Sequence, residues 1–505
     1  MKPLALISCF EPEGIERIAA ALFDVGFDLL ASDESATPIA AAGLAVTRIA
    51  EFTDEHEDFG FPPTLHPRIE AALTGTASPR IELVFVRLYP AGIGNDVGGR
   101  TLLMLAVKGE RVAASTTEQM RDVLDELASE GRVSDALRVR LATEVCVEAA
   151  GHFAAQAPSG GVRRAVFADF AEELSEGENP YQRPARRYAT ASVDPLALTR
   201  FVRRSGQPPC FTNLADADAI LHTAGLLAAA CRRNLDAEPA LCIAAKHGNA
   251  CGIGVSWDDP AEAIERALWG APQAIWGGEV VTNFAIDAHL ARRLHGSDAR
   301  QARCGGAHWM LDLVLAPDFD DAAVAVLGQR PMRKLMANPA LRAPTPSSAE
   351  HWRMIRGGWL SQPAADYVLD LAATGKASAA LTPSQVLALC IAWAAAFGSS
   401  LGGNEIAIAR DGALLAAGGG PSTVEAARSA LDRCAARGHD CRGAAFAADA
   451  FFPFDDVPAM LGEAGVTAGC APTGSVNDAT VAASLAERGV AMVWLPPEIR
   501  GFCRH

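Results

Sequence analysis

Short apolar runs of strand type alternate with Ala-rich helical runs along almost the whole of this 505-residue chain, and that alternation restricts the fold more than any other feature. LCIAAKH, IWGGEVVTN, WMLDLVLAP, EIAIARDG, GAAFAADAFF, VTAGCAP and GVAMVWLP carry the continuous apolar character of strands covered on both faces. Interleaved with helices, they predict an α/β protein built on mostly parallel or mixed sheets. The N-terminal stretch opens the same way. ALISCF is followed by Ile15, Ile18, Leu22 and Phe23 at helical spacing and then by FDLLAS, with further strand-like runs at Ile81–Pro90 and around Arg111–Ser115. Helical patterns then run from about Thr117 to Ala157.

A chain this long exceeds one ordinary core, so several domains are expected. A Gly/Pro/Ser cluster at Pro158–Gly161 follows the helical stretch and precedes the apolar run RAVFADF, which marks a boundary. A second boundary is read near Gly375–Leu381. The expected segments are therefore 1–160, 161–375 and 376–505. No short-period repeat is visible.

Charge and cysteine usage narrow the function classes. Lys and Arg number 44 against 60 Asp and Glu, and the formal charge of −16 opposes a polyanion, so a nucleic-acid partner is not expected. A small anion in a locally basic pocket remains compatible with that balance. The longest apolar stretch, Val386–Phe397, falls well short of the roughly 20 residues that span a bilayer. The N-terminus MKPLALISCFEPEG has acids where a signal peptide has its cleavage site. No membrane association and a cytoplasmic location are the expectation. The twelve cysteines form no C-x-x-C pair, so neither a zinc site nor a disulfide framework is signalled, and no metal is expected.

The densest chemistry lies in Lys246-His247-Gly248-Asn249-Ala250-Cys251-Gly252, which ends a buried-looking strand and opens a turn. A cation, an imidazole and an amide are thereby offered at a sheet edge, where α/β proteins collect their sites. The histidine suits a general base, and the ammonium or amide an oxyanion partner. A strand-end histidine that merely bonds to a loop is the bland alternative. Gly418-Gly419-Gly420 could approach a ligand closely, but three glycines in a loop are more often a turn. No P-loop and no G-x-G-x-x-G after a strand is present.

KHGNACG resembles the K-H-x-N-P-C-G signature of the bifunctional purine-biosynthesis family, in which AICAR transformylase is joined to IMP cyclohydrolase. ALISCFEPEGI, TLHPRI, LVFVRLYP, EGENPYQ, FTNLADADA, WGGEVVTN, GGWLSQ, LTPSQ, GNEIAIARDG, AADAFFPF and a terminal arginine and histidine fall in the family's order. The resemblance thus spans essentially the whole chain. It implies an N-terminal methylglyoxal-synthase-like domain followed by two cytidine-deaminase-like domains. The metal motifs of zinc deaminases, H-x-E with P-C-x-x-C, are not matched.

Carried over by position, the resemblance makes His247 the base toward an acceptor amine, Lys246 its neighbour near the formyl group, and Asn404 an oxyanion partner. It makes Asp449, Phe451, Phe452 and Phe454 folate contacts, where an aromatic can stack on a pterin; that Phe451 and Phe452 are simple core is the other reading. Glu176, Gly177, Asn179, Asn249, Gly278, Asn283, Arg500 and His505 become substrate contacts. 10-Formyltetrahydrofolate is the implied co-substrate, a small amine the acceptor, and a homodimer the implied assembly.

Several positions depart from the family pattern. A phosphate-binding S-T-G-G-T turn is Ala31-Ser32-Asp33-Glu34-Ser35-Ala36-Thr37, with acids in place of glycines. G-R-V-K-T-L-H-P is Gly60-Phe61-Pro62-Pro63-Thr64-Leu65-His66-Pro67, which loses an arginine and a lysine, while Lys108 is retained. R-Y-G-x-N-P-H-Q is Ser175-Glu176-Gly177-Glu178-Asn179-Pro180-Tyr181-Gln182, and G-A-G-Q-x-S-R is Gly418-Gly419-Gly420-Pro421-Ser422-Thr423, so two arginines are missing. The expectation is a formyltransferase whose acceptor need not be AICAR, with a degenerate cyclohydrolase-like domain. The ordinary bifunctional enzyme and a catalytically dead nucleotide- or folate-binding paralogue are the alternatives.

Overall fold

The computed structural model describes residues 2–57, 60–75, 79–90, 96–156, 166–190, 192–372 and 378–501. The chain separates into two compact units, Met1–Phe167 and Ala168–His505. Pro158–Gly161 and residues 375–377 of the second boundary stretch lie outside the described residues.

The first unit is a parallel sheet of β1 (Leu4–Cys9), β2 (Asp28–Ala31), β3 (Val46–Arg48), β4 (Ile81–Arg87) and β5 (Val112–Ala114), in the order β3-β2-β1-β4-β5. Apolar side chains of β1 and β4 feed cores on both faces of the sheet, as continuous apolar strands require. The predicted helical stretch from Thr117 is two helices, Thr117–Glu130 and Asp135–Gln156. Gly131 separates them: at φ 69° it takes the left-handed conformation that closes a helix, and its amide donates back to the Leu127 carbonyl.

The second unit is built on one mixed sheet of eleven strands. Its order is Ala491–Leu495, Ala468–Pro472, Ala445–Ala448, Asn404–Arg410, Ala413–Gly420, Asn249–Ser256, Ala240–Lys246, Glu279–Thr282, Leu313–Ala316, Lys334–Ala337 and Val202–Ser205. Helices Phe211–Leu235 and Pro383–Phe397 cover one face in a single core. At 25 residues, Phe211–Leu235 is long and apolar enough to cross a membrane, yet most of it is buried inside the protein.

The two halves of this sheet share one construction. In each, a helix leads into a hairpin, a second helix packs back on that hairpin, and three more strands follow. Both hairpins turn on two residues with positive φ: His247 (53°) and Gly248 (66°) in one, Asp411 (50°) and Gly412 (76°) in the other. That is the primed turn whose twist suits a hairpin. The hairpins lie side by side, with Gly254 opposite Ala413 in antiparallel pairing, so their turns point to opposite edges of the sheet. The edge carrying His247 therefore receives a different part of the second half, namely the loop before Asn404, the start of its strand, and the residue after Ala448. It also receives the starts of Glu279–Thr282, Leu313–Ala316 and Lys334–Ala337.

Candidate functional site

At that edge Lys246 closes its strand, and its Nζ donates to the Gly277 carbonyl at 2.5 Å. Gly278 packs so closely on the Ala245 carbonyl that a side chain would collide with it. His247, at the tip of the turn, is exposed. Asn249 spends its amide on backbone. Nδ2 donates to the His247 carbonyl at 2.9 Å, and Oδ1 accepts from the Ser400 amide at 2.7 Å. It thus ties the Lys-His turn to the loop leading into Asn404, and each end of the amide keeps one further bonding position.

Asn404 begins the neighbouring half's first strand, and its Nδ2 donates to the Gly420 carbonyl at 3.2 Å. The loop before it is shaped from inside. Glu405 is 3% exposed, and its Oε1 accepts from the amides of Leu401, Gly402 and Gly403 at 2.5, 3.0 and 3.3 Å. Asp449 lies beside it, with Oδ1 accepting from the Glu405 amide at 2.8 Å. Burial pushes the Asp449 carboxyl up to about 7; the bond from the Glu405 amide opposes the shift and the Glu405 charge adds to it. Burial also raises the Glu405 carboxyl, against the three loop amides.

The aromatic segment divides. Phe452 is 1% exposed and packs 6.0 Å from Phe446, so its ring is core and presents no face to a ligand. Phe454 is exposed, and Phe451 is half-buried beneath the Arg500 guanidinium at 5.7 Å. The Gly501 amide donates to the Asp449 carbonyl, so the C-terminal stretch returns to this edge. His505 lies outside the described residues.

Glu176, Gly177 and Asn179 form a turn fastened to the start of helix Phe211–Leu235 through the bond from the Phe211 amide to the Glu176 carbonyl. Asn179 donates to Gln182 Oε1, Gly177 sits against the Gln182 carbonyl, and Glu176 pairs with Arg183 at 3.6 Å. That helix start also carries Asn213 and Asp216, neighbours of Glu279 on the sheet edge.

Asn283 does not join the site. Its side chain accepts from the Leu241 amide and donates to the Pro239 carbonyl. Leu241 lies five residues from Lys246 along the strand, roughly 17 Å at ordinary strand rise, so Asn283 marks the opposite edge. It is the counterpart of Asp449, clasping Leu241 as Asp449 clasps Glu405. The Gly418-Gly419-Gly420 run is strand, not ligand loop: the three glycines admit Ala430, Leu401 and Glu425 at distances no side chain would allow. Sequence reasoning missed Glu279 and Glu405, two acids inside otherwise apolar strands. An acid in such a run was the available signal, because burying one is costly. Among the described residues no cluster of three or more His, Cys, Asp or Glu is placed to hold a metal.

The first unit has a cleft of about 400 Å³ where β1 and β4 part, lined by Ser8, Cys9, Ser32, Glu34, Thr64, Arg87 and the start of helix Val97–Lys108 among others. This is the switch point at which open parallel sheets bind ligands. Its charges are mixed for an anion, since Arg87 and a helix start line it as well as Glu34. Glu34 lines the cleft, Asp33 pairs outward with Arg48 at 2.7 Å, and Arg87 is bonded to the Glu11 and Glu13 carbonyls. Lys108 ends the helix whose start lines the cleft, roughly 16 Å away at helical rise, and pairs with Glu70.

Comparison with known proteins shows the family to which the chain belongs. Residues 111–433 match the family model described as AICARFT/IMPCHase bienzyme. The bifunctional purine biosynthesis protein PurH of Acidithiobacillus ferrooxidans is 31% identical over 97% of this chain and 97% of its own. That of Synechococcus sp. strain WH7803 is 31% identical over 98% of each. A solved structure titled "Crystal structure of ForH" is 25% identical over 31% of this chain and 96% of that one, at a TM-score of 0.28, too slight a likeness to argue from. With more than half its length matched by the family model and nearly all of it by PurH proteins, this chain belongs to the AICAR transformylase/IMP cyclohydrolase family.

Proposed function

We propose that the second unit transfers a formyl group from 10-formyltetrahydrofolate to a small amine, and that the acceptor need not be AICAR. The observation that carries this reading is the convergence of Lys246, His247 and Asn404 on one sheet edge from two halves of the chain, stitched by Asn249. His247 takes a proton from the amine as the amine nitrogen attacks the formyl carbon. Lys246 and Asn404 donate to the oxyanion, and the proton passes to the folate nitrogen as it leaves. Phe451, Phe454 and Asp449 supply the folate side, Phe452 being core. Glu176 and Glu178 stand where the family pattern has a nucleotide-contacting pair, which favours an acceptor bearing a positive or hydrogen-bond-donating group, although Glu176 already has Arg183 as a partner.

The ordinary bifunctional enzyme is the second reading, favoured by the near full-length identity to PurH proteins. One assay separates them: purified protein, 10-formyltetrahydrofolate and AICAR, followed by tetrahydrofolate release. Efficient turnover supports the ordinary enzyme. Folate binding without turnover of AICAR supports a changed acceptor, and absence of both defeats the proposal.

Two consequences are open to measurement. Asn249→Ala is expected to lower kcat about tenfold with little change in folding, because a slight misplacement of reacting groups costs rate rather than stability; unchanged kcat would remove its positioning role. The active protein is expected to be a homodimer, since Met354, Ile355, Trp359 and Leu360 expose apolar surface on the hairpin His351–Ile355/Gly358–Gln362. Light scattering that finds a fully active monomer would contradict this.

A further inference from the structure

Glu279 is an acid for which formyl transfer, as described, has no use. It opens the strand Glu279–Thr282 ahead of Val280 and Val281, is 2% exposed, and its Oε2 meets no protein donor. A carboxylate so placed is costly, whereas a carboxylic acid is much less so. Its location is specific. It stands opposite Ala245 in the ladder, one residue from Lys246, and two residues beyond Gly277, whose carbonyl receives the Lys246 ammonium. The groups that act on its charge are Asp216 and Asn213 from helix Phe211–Leu235, the latter through a side-chain hydrogen bond that favours the ionised form, Lys246 from the adjoining strand, and Asp312 from the head of the next. Cys251, on the hairpin's other strand, also feels its charge, and burial pushes that thiol up to about 12, so it stays neutral.

We propose that Glu279 is a positioning residue for Lys246 that carries a proton in the working protein. Neutral, it leaves the ammonium on the Gly277 carbonyl at the ligand edge; ionised, it draws the ammonium back toward the sheet. The catalytic half of this statement rests on the reading of Lys246 as the group beside the formyl oxygen. Burial and the Asp216 charge push the Glu279 carboxyl up to about 8, against the pull of Lys246 and with a further push from Asp312. The protonated form is therefore the resting form at neutral pH, and its loss begins within reach of ordinary buffers.

The chain has only five lysines, Lys2, Lys108, Lys246, Lys334 and Lys376, which makes carbon-13 lysine labelling of the full-length protein a direct test. The Lys246 signal, assigned by its loss in Lys246→Arg, is expected to shift with an inflection near pH 8, separate from the lysine's own titration. That inflection disappears in Glu279→Gln and moves to lower pH in Asp216→Asn, which removes one like charge. Formyl transfer by the wild type is expected to fall about tenfold between pH 7 and pH 9, the dependence of one ionisation centred near 8, and less than twofold in Glu279→Gln. Superposed lysine titrations in wild type and Glu279→Gln would overturn the proposal. An intact inflection in a protein that transfers no formyl group would instead sustain the coupling of Glu279 to Lys246 and defeat the formyl-transfer reading.

Discussion

Replacing His247 is expected to slow formyl transfer at least about a hundredfold, and replacing Lys246 to do the same, the usual scale for losing a general base or an oxyanion partner. The choice of variant matters because His247 sits at φ 53° in the hairpin turn. Alanine in that left-handed conformation costs roughly 1 kcal/mol, whereas asparagine adopts it readily. His247→Asn therefore keeps the turn and removes the base, and His247→Ala removes the base and strains the turn as well. If loss of the base is what matters, both variants lose at least about a hundredfold in kcat. If turn geometry alone matters, His247→Asn stays near wild type. Lys246→Gln keeps a donor within reach of the Gly277 carbonyl but removes the charge, so its loss isolates the ammonium. Steady-state kinetics with the true acceptor, on variants of unchanged circular dichroism, make the measurement; near-normal turnover in His247→Asn would withdraw the base.

Much of the architecture was legible because strand and helix periods are local. The apolar runs from LCIAAKH to GVAMVWLP all contain strands of the large sheet, and the α/β order follows from them. What sequence reading lacked was the relation between halves. Asp411-Gly412 and His247-Gly248 make the same turn, but only the antiparallel seating of Gly254 on Ala413 sends the two turns to opposite edges. Without that relation, Asn283 and Asp449 looked like members of one site; with it, they are the same clasp at opposite edges. That Asn249 also stitches the Lys-His turn to the loop before Asn404 was hidden, because its partner Ser400 is distant in sequence. Phe451 and Phe452 follow the strand Ala445–Ala448 in irregular backbone, where no period tells which ring is buried, and only the packing of Phe452 near Phe446 decides it. The helix break at Gly131 was the most legible of the missed features, since a glycine before Arg132-Val133-Ser134-Asp135 marks a helix end.

Formyl-AICAR is expected not to be converted efficiently to IMP by this protein. The first unit retains the frame of a ligand site, a parallel sheet with a cleft at its switch point and helix Asp33–Ala41 beginning beside it. A helix start favours an anion through its free amides and its dipole. Here the first two helical residues are Asp33 and Glu34. Asp33 is neutralised by Arg48, but Glu34 lines the cleft, while the Arg87 guanidinium is spent on carbonyls and Lys108 sits at the far end of its helix. Charged hydrogen bonds are worth about 1.5–3 kcal/mol apiece, so the loss of two phosphate partners weakens nucleotide binding by roughly a hundredfold to ten-thousandfold. The measurement supplies formyl-AICAR and AICAR separately and follows IMP formation and tetrahydrofolate release at saturating substrate, with the double variant Asp33→Gly, Glu34→Gly alongside. If the carboxylates are the obstacle, the double variant binds inorganic phosphate or the nucleotide more tightly than wild type. Efficient IMP formation by the wild type would mean that Glu34 yields its place to the phosphate, and the ordinary bifunctional enzyme would then be the correct reading of the whole chain.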